Sequence, residues 1–247
     1  MSTVSIMYSG GLDSYIMYHY AKATGHNPLC ISVDLGHPYA EIEWQSYCNM
    51  PDNDYKPNVI RLNFSDLYPA IANRITNQII PSRNVLLAVI GSMFNSRVWL
   101  GVLDGEQNGK EHDKSYKYFQ DTTNLLTFTN SFFQEATIVE TPFSHMTKAQ
   151  TIGWALQYGI PEERLFETTS CYSGTHKKCG VCLTCYKRKV AFLLNGIDEP
   201  GYDKNPLKTS YAREMDKEIP LAIAKNDYSR FTKTRCDEWT KLKNILK

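Results

Sequence analysis

Short apolar runs alternate with segments of helical character from the first half of this chain onward, and that alternation leaves few folds open. Thr3–Ser9 reads as a buried strand, being short, partly β-branched and bounded by glycines. LDSYIMYHYAKATG (12–25) reads as a helix ending at Gly25. PLCISVDLG (28–36), NVIRLNF (58–64), VWLGVLDG (98–105) and ATIVETP (136–142) supply the second to fifth strands. Helices are expected at 40–48, 83–97 and 147–159, the last with Thr147 as N-cap. Parallel neighbours need a crossover segment between them, so this rhythm predicts an α/β fold: a parallel twisted sheet with helices on both faces. Ligands of such sheets bind beyond the carboxyl ends of the strands.

At 247 residues the chain suits one large α/β domain, or one domain with an appendage. Hydrophobic residues make up 42% and charged residues 21%, which allows a core and argues against wholesale disorder. Its 27 basic and 26 acidic residues leave a net charge of +1, so no stable nucleic-acid binding is expected. No stretch approaches the roughly 18–20 apolar residues that cross a bilayer. The start, MSTVSIMYSGG, lacks a basic n-region and an apolar h-region. The expected location is the cytoplasm, with no membrane partner. After about residue 165 the character changes to a cysteine cluster, a helical run TCYKRKVAFLLNG (184–196) and a polar tail, helical in pieces. The chain is therefore divided into an α/β unit, residues 1–165, and a smaller, mainly helical region, residues 166–247, packed on it.

Ser9-Gly10-Gly11-Leu12-Asp13-Ser14 joins the first strand to the first helix. Adjacent glycines accept positive φ and let the backbone come close to a ligand. The N–H groups at the helix start, with the helix dipole, make an anion site, and the hydroxyls of Ser9 and Ser14 add donors. The chain has neither G-x-x-x-x-G-K-[ST] nor G-x-G-x-x-G. The hexapeptide resembles S-G-G-x-D-S, the signature of PP-loop ATP pyrophosphatases, which hold the pyrophosphate of ATP and split its α–β bond. Asp13 would then cap the helix or hold magnesium. An ordinary strand-to-helix turn with a Ser/Asp cap is the alternative.

Of seven cysteines, Cys30, Cys48 and Cys236 stand alone, whereas Cys171, Cys179, Cys182 and Cys185 fall within fifteen residues. In a reducing compartment such a cluster reads as a metal site before a disulfide. Three thiolates at spacings of three wrap one ion if the backbone coils tightly, as Gly180 permits, and Cys171 completes a tetrahedron suited to zinc. Four protein ligands close the site, which makes it structural. His176 is then surplus. A C-x-x-C redox pair and an iron–sulfur cluster remain the competing readings.

Together these motifs resemble the QueC family, the 7-cyano-7-deazaguanine synthases, over residues 3 to about 195. VDLGHPYAEI is similar to that family's D-Y-G-Q-x-H-x-A-E-I stretch, one residue shorter. IPSRNVLLAVIG is similar to its V-P-G-R-N run and supplies Arg83 and Asn84. TPFSHMTKAQTI is similar to its T-P-L…K-A-E-I run and supplies Lys148. TTSCYSG and CGVCLTCYKR match closely, Arg188 included. The resemblance implies a Rossmann-like fold of the adenine-nucleotide alpha hydrolase kind. It implies the substrates ATP, ammonia and 7-carboxy-7-deazaguanine, with zinc as structural ion, magnesium on the phosphates and a homodimer, the usual assembly in the family.

It also implies roles. Tyr8, Ser9, Gly10, Gly11, Leu12, Asp13, Ser14 and Asp34 would bind the nucleotide. Asp13, Arg83, Lys148 and Asp113 would carry the chemistry, with Arg83 and Lys148 offsetting charge on phosphates or on the substrate carboxylate. A surface salt bridge at a helix start is the plain reading of both. One segment departs: where the family has D-x-S-G-Y-P-D-C-R-x-x-F, this chain has VLDGEQNGKEHDKSYKYF. There Asp113 accepts from a guanine-like N–H edge or is a solvated loop carboxylate, and both readings stand. Asp104 and Glu106 are candidates for magnesium. Two other functions stay open: tRNA thiolation or ligation by a related PP-loop enzyme, and a QueC-like protein that acts on a protein partner.

Overall fold

The computed structural model describes residues 2–76, 79–104, 106, 112–133, 135–174 and 178–247. Five strands, β1 (Thr3–Met7), β2 (Asn27–Asp34), β3 (Val59–Asn63), β4 (Arg97–Trp99) and β5 (Ile138–Glu140), form one sheet in the order β3-β2-β1-β4-β5. Every pairing is parallel, with Ser5 of β1 opposite Leu29 on one side and Val98 on the other. Four of the five residues of β1 are buried, as a strand covered on both faces requires.

Ten α-helices accompany the strands among the described residues: α1 (Leu12–Ala23), α2 (Ala40–Cys48), α3 (Leu67–Ala70), α4 (Arg83–Ser92), α5 (Tyr116–Thr129), α6 (Lys148–Gln157), α7 (Glu162–Phe166), α8 (Leu183–Leu193), α9 (Ser210–Lys225) and α10 (Lys233–Ile245). Helices α1 and α6 cover one face, where Ile6, Ile16, Phe143 and Ile152 share a core with Phe192 of α8. Helices α4 and α5 cover the other, around Met7, Ile31, Val98 and Phe119. Gly91 sets the depth at which α4 sits: a Cβ there would stand 2.6 Å from a Val98 methyl. The expected α/β architecture is present, with helices on both faces.

The fourth and fifth strands are shorter than the sequence pattern suggested. Past Trp99 the chain leaves the ladder, although Leu100 still donates to the Glu140 carbonyl at 3.0 Å. Helix α5 lies in a stretch to which the pattern assigned no element. Its buried positions are Phe119, Thr122 and Leu126, so a threonine interrupts the apolar stripe. At the C-terminus α8, α9 and α10 enclose a third core, with Tyr186, Met215, Ile219 and Phe231 in it. Helix α8 thus serves two cores, giving Phe192 to the sheet side and Tyr186 to the tail. No helix among the described residues is long and apolar enough to cross a membrane.

Candidate active site and metal centre

The strand order reverses between β1 and β4, and the glycine loop leaves the carboxyl end of β1 at that point, the usual ligand crevice of an open parallel sheet. Gly10 has φ +79, and a Cβ on it would stand 2.4 Å from the Glu43 carbonyl oxygen, so only glycine fits between β1 and α2. The two hydroxyls fold the loop on itself. Ser14 Oγ donates to the Gly11 carbonyl at 2.9 Å and accepts from Ser9 N at 3.2 Å, while Ser9 Oγ accepts from Gly11 N at 3.2 Å. The first helical bond runs from Tyr15 N to Gly11 O, so the N–H groups of Leu12, Asp13 and Ser14 precede it and have no intrahelical acceptor. The side chain of Leu12 is fully buried, leaving its backbone as its contribution to the site. Tyr8 is core as well; its buried hydroxyl has no partner among the described residues.

Asp13 does not cap α1, whose N-cap is Gly11 without any side-chain bond. Both its oxygens instead accept from Lys148 Nζ, each at 2.6 Å. Lys148 is the first residue of α6, held there by a capping box in which Thr147 and Gln150 exchange bonds. A cation 135 positions away is thereby delivered to the mouth of the glycine loop.

The remaining candidates lie around it. Arg83 opens α4 after Ser82, which has φ +57, and its charge bears on the Tyr39 hydroxyl, lowering a pKa that burial pushes up to about 12. It is one of the charges felt by Glu43, which burial pushes above the usual carboxylate range and His37 pulls back at 3.5 Å. Asn84, buried, donates to the Asp113 carbonyl and to its carboxylate, both at 3.0 Å. The Arg83–Asn84 run and Asp113 therefore form one unit, although the carboxylate itself is exposed. Asp34 ends β2 with both oxygens engaged: one accepts from Gly36 N at 2.9 Å, the other from Arg61 at 2.7 Å. Asp104 accepts from Thr234 of α10 at 3.3 Å, and Glu106 accepts from Leu103 N at 3.3 Å. Gly105, residues 107–111 and His176 lie outside the described residues.

A cavity of about 90 Å³ adjoins Lys148. Sequence reasoning missed its walls. They combine the segment after β4 with the start of α6, one side of α8 and two helices of the tail. Lys187 lines it, pushed down to about 8 by burial first and then by Arg235, with Glu106 acting in the opposite sense. Glu238 faces the same space, its carboxyl raised by burial and pulled back by Thr147. The only trace of this wall in the sequence is the basic run YKRK beside the cysteines.

The four sulfurs of Cys171, Cys179, Cys182 and Cys185 all lie within 4.8 Å of one another. A zinc tetrahedron with bonds near 2.3 Å needs sulfurs about 3.8 Å apart, and Cys179 and Cys185 stand at 3.9 Å. Backbone N–H groups of Val181 and Cys185 point at sulfurs, at 3.4 and 3.5 Å, which suits thiolates. Gly180 takes φ +71 and lies so close to the Lys204 carbonyl that a Cβ would overlap it at 1.7 Å. The residues fit zinc. Behind the knuckle Arg188 is fully buried. It donates to Glu199 at 2.7–3.0 Å, to Thr168 at 2.9 Å and to the Leu165 carbonyl at 2.7 Å, so it clamps the metal helix onto the chain entering it.

The comparisons with known proteins agree. The model of the family described as "Queuosine biosynthesis protein QueC" matches residues 58–196, more than half of the chain. The chain belongs to the QueC family. It is 25% identical to a 7-cyano-7-deazaguanine synthase of Marinobacter nauticus, over 80% of this chain and 96% of that protein. It is 26% identical to the synthase of the same name from Thermoplasma acidophilum, over 86% of this chain and 96% of that one. Among solved structures, a predicted subunit of tRNA methyltransferase from Methanocaldococcus jannaschii aligns at TM-score 0.41 and 18% identity, covering 63% of this chain and 75% of that chain. The QueC match begins after the glycine loop and stops at Gly196, so α9 and α10 are outside it.

Proposed function

We propose that this chain is a C–N ligase that converts 7-carboxy-7-deazaguanine and ammonia to 7-cyano-7-deazaguanine in the cytoplasm, consuming ATP to AMP and pyrophosphate. One observation carries the reading: a glycine loop at the sheet's switch point with the Asp13–Lys148 pair at its mouth, in a chain of the QueC family.

A carboxylate is a poor electrophile because oxide would have to leave. Its oxygen attacks the α-phosphorus of ATP, the bond to the β-phosphate oxygen breaks, and pyrophosphate departs. Ammonia then attacks the acyl carbon, AMP leaves and a proton is lost, giving the amide. The amide oxygen is adenylated by a second ATP. Loss of AMP and the two nitrogen-bound protons leaves the nitrile. The N–H groups of Leu12, Asp13 and Ser14 are placed to receive the departing pyrophosphate, with the α1 dipole behind them. Lys148 turns from Asp13 to the phosphates and offsets their charge. Arg83 acts from the α4 side, next to Tyr39. Asp113, steadied by Asn84, accepts from the guanine-like edge.

Asp13 offers hard carboxylate oxygens at the loop and suits magnesium, which supplies charge neutralisation on the phosphate oxygens. Zinc in the cysteine knuckle is structural. Thiolation by persulfide has no support: Cys30 is buried, its thiol pushed up by burial, and Cys48 is exposed and alone. The test is to incubate the zinc-loaded protein with ATP, ammonia and 7-carboxy-7-deazaguanine. AMP, pyrophosphate and the nitrile are expected. ADP with orthophosphate, or AMP only when RNA is added, would overturn the proposal.

A further inference from the structure

The cavity beside Lys148 holds an ammonium with no direct ion pair among the described residues. Lys187, half-buried on α8, makes no hydrogen bond or ion pair among the described residues. The other cations lining the cavity are occupied at one side: Lys148 by Asp13, and Arg235 by the Tyr211 hydroxyl at 2.7 Å. A cation partly withdrawn from water beside two more cations gains from an anionic partner in direct contact. Asp104, Glu106 and Glu238 also line the cavity, Asp104 accepting from Thr234 and Glu106 from Leu103 N, while Val190, Met215, Ile219 and the ring of Trp239 form an apolar side. Such a wall suits the face of an aromatic ring. Lys148 connects this space to the glycine loop.

We infer that this cavity seats the acid substrate, a planar heteroaromatic carboxylate, with Lys187 and Arg235 gripping its carboxylate next to Lys148. The inference rests on the proposed function and adds to it that the C-terminal helices complete the site. Arg235 and Trp239 belong to α10, beyond the residues that the QueC family model matches. The tail is docked where this needs it to be: Thr234 donates to Asp104 in the segment after β4, and Glu238 faces the same cavity as Thr147 at the start of α6. The tail of this chain thus lends a cation to chemistry carried out at the sheet.

The test measures binding of 7-carboxy-7-deazaguanine by titration calorimetry, and AMP formation at varied acid and varied ATP. It uses the zinc-loaded wild type, Lys187→Ala, Lys187→Arg and Arg235→Ala. Losing one charged partner predicts an acid Kd and KM raised roughly 10- to 100-fold in the two alanine variants. The KM for ATP should stay within about twofold, and Lys187→Arg should recover most of the loss. Zinc content and melting temperature, equal to wild type, separate this from misfolding. If the alanine variants bind acid as wild type does, or lose ATP affinity equally, the inference is overturned while AMP formation by wild type keeps the proposed function. Acid binding that depends on Lys187 without any AMP would instead leave the pocket standing and overturn the proposed function. Absence of acid binding by wild type would overturn both.

Discussion

The cysteine knuckle and the phosphate loop stand in the same molecule but are assembled in opposite ways. The knuckle draws its four sulfurs from fifteen consecutive residues, and its geometry follows from two local facts, the spacing by three and a positive φ at Gly180. The loop supplies backbone from Ser9 to Ser14 but takes its cation from Lys148, its steric floor from Glu43 and its neighbouring arginine from α4. One site is local chemistry that pins the fold; the other is a place the fold creates. Damage to the first should therefore cost structure, and damage to the second should cost turnover before it costs structure.

The largest effect expected from that difference is at the knuckle. Cys182→Ser removes one of four ligands from a site whose metal contributes on the order of 10 kcal/mol to folding. Bound zinc, measured by atomic emission, should fall together with soluble yield and cooperative melting. A soluble, metal-free, active variant would break the comparison. Asp13→Ala should do the reverse. AMP formation should fall roughly 100- to 1,000-fold, while zinc content stays as in wild type and melting changes little, because among the described residues the Asp13 carboxylate pairs with Lys148 alone, at the part-exposed mouth of the loop.

Gly10→Ala sharpens the distinction, since it strains the loop without touching a charge. A Cβ at φ +79 and 2.4 Å from the Glu43 oxygen should cost about 1–3 kcal/mol. It should raise the KM for ATP more than it lowers the melting temperature, as the loop is displaced from α2. Unchanged ATP affinity would mean that the backbone there touches no phosphate.

The smallest expected effect lies outside both sites. His19 of α1 is buried among Tyr15, Tyr18 and Tyr55, and burial lowers its pKa to about 4. Between that value and about 6.5 the unfolded chain binds a proton that the folded chain does not. Stability should therefore be full above about pH 6.5 and decline as pH falls toward 4, by up to ~1.4 kcal/mol per pH unit. Denaturant melts across that range should show a shallower slope in His19→Phe.

What could be read in advance divides along the same line. The alternation of apolar runs announces a parallel sheet because buried strands and crossover helices differ in period and length. The N-cap at Thr147 was legible as a hydroxyl before a periodic segment. Helix α5 was not, because Thr122 occupies a core position between Phe119 and Leu126 and dilutes the apolar signal. Arg188 could be matched but not interpreted, since its partner Glu199 and the Leu165 carbonyl meet it only after the chain has turned back on itself.

Sequence alone determined the ligand set of the knuckle, the glycines of the loop and the sheet class, all properties written in near neighbours or in a repeating period. Tertiary structure alone decided that Asp13 faces Lys148 rather than its own helix end, that Asp34 and Asp104 are already engaged, and that Lys187 lines a cavity roofed by the tail. Those outcomes depend on distances between residues far apart in the chain. Such distances come from packing two cores around one sheet, and no local pattern of residue types encodes them.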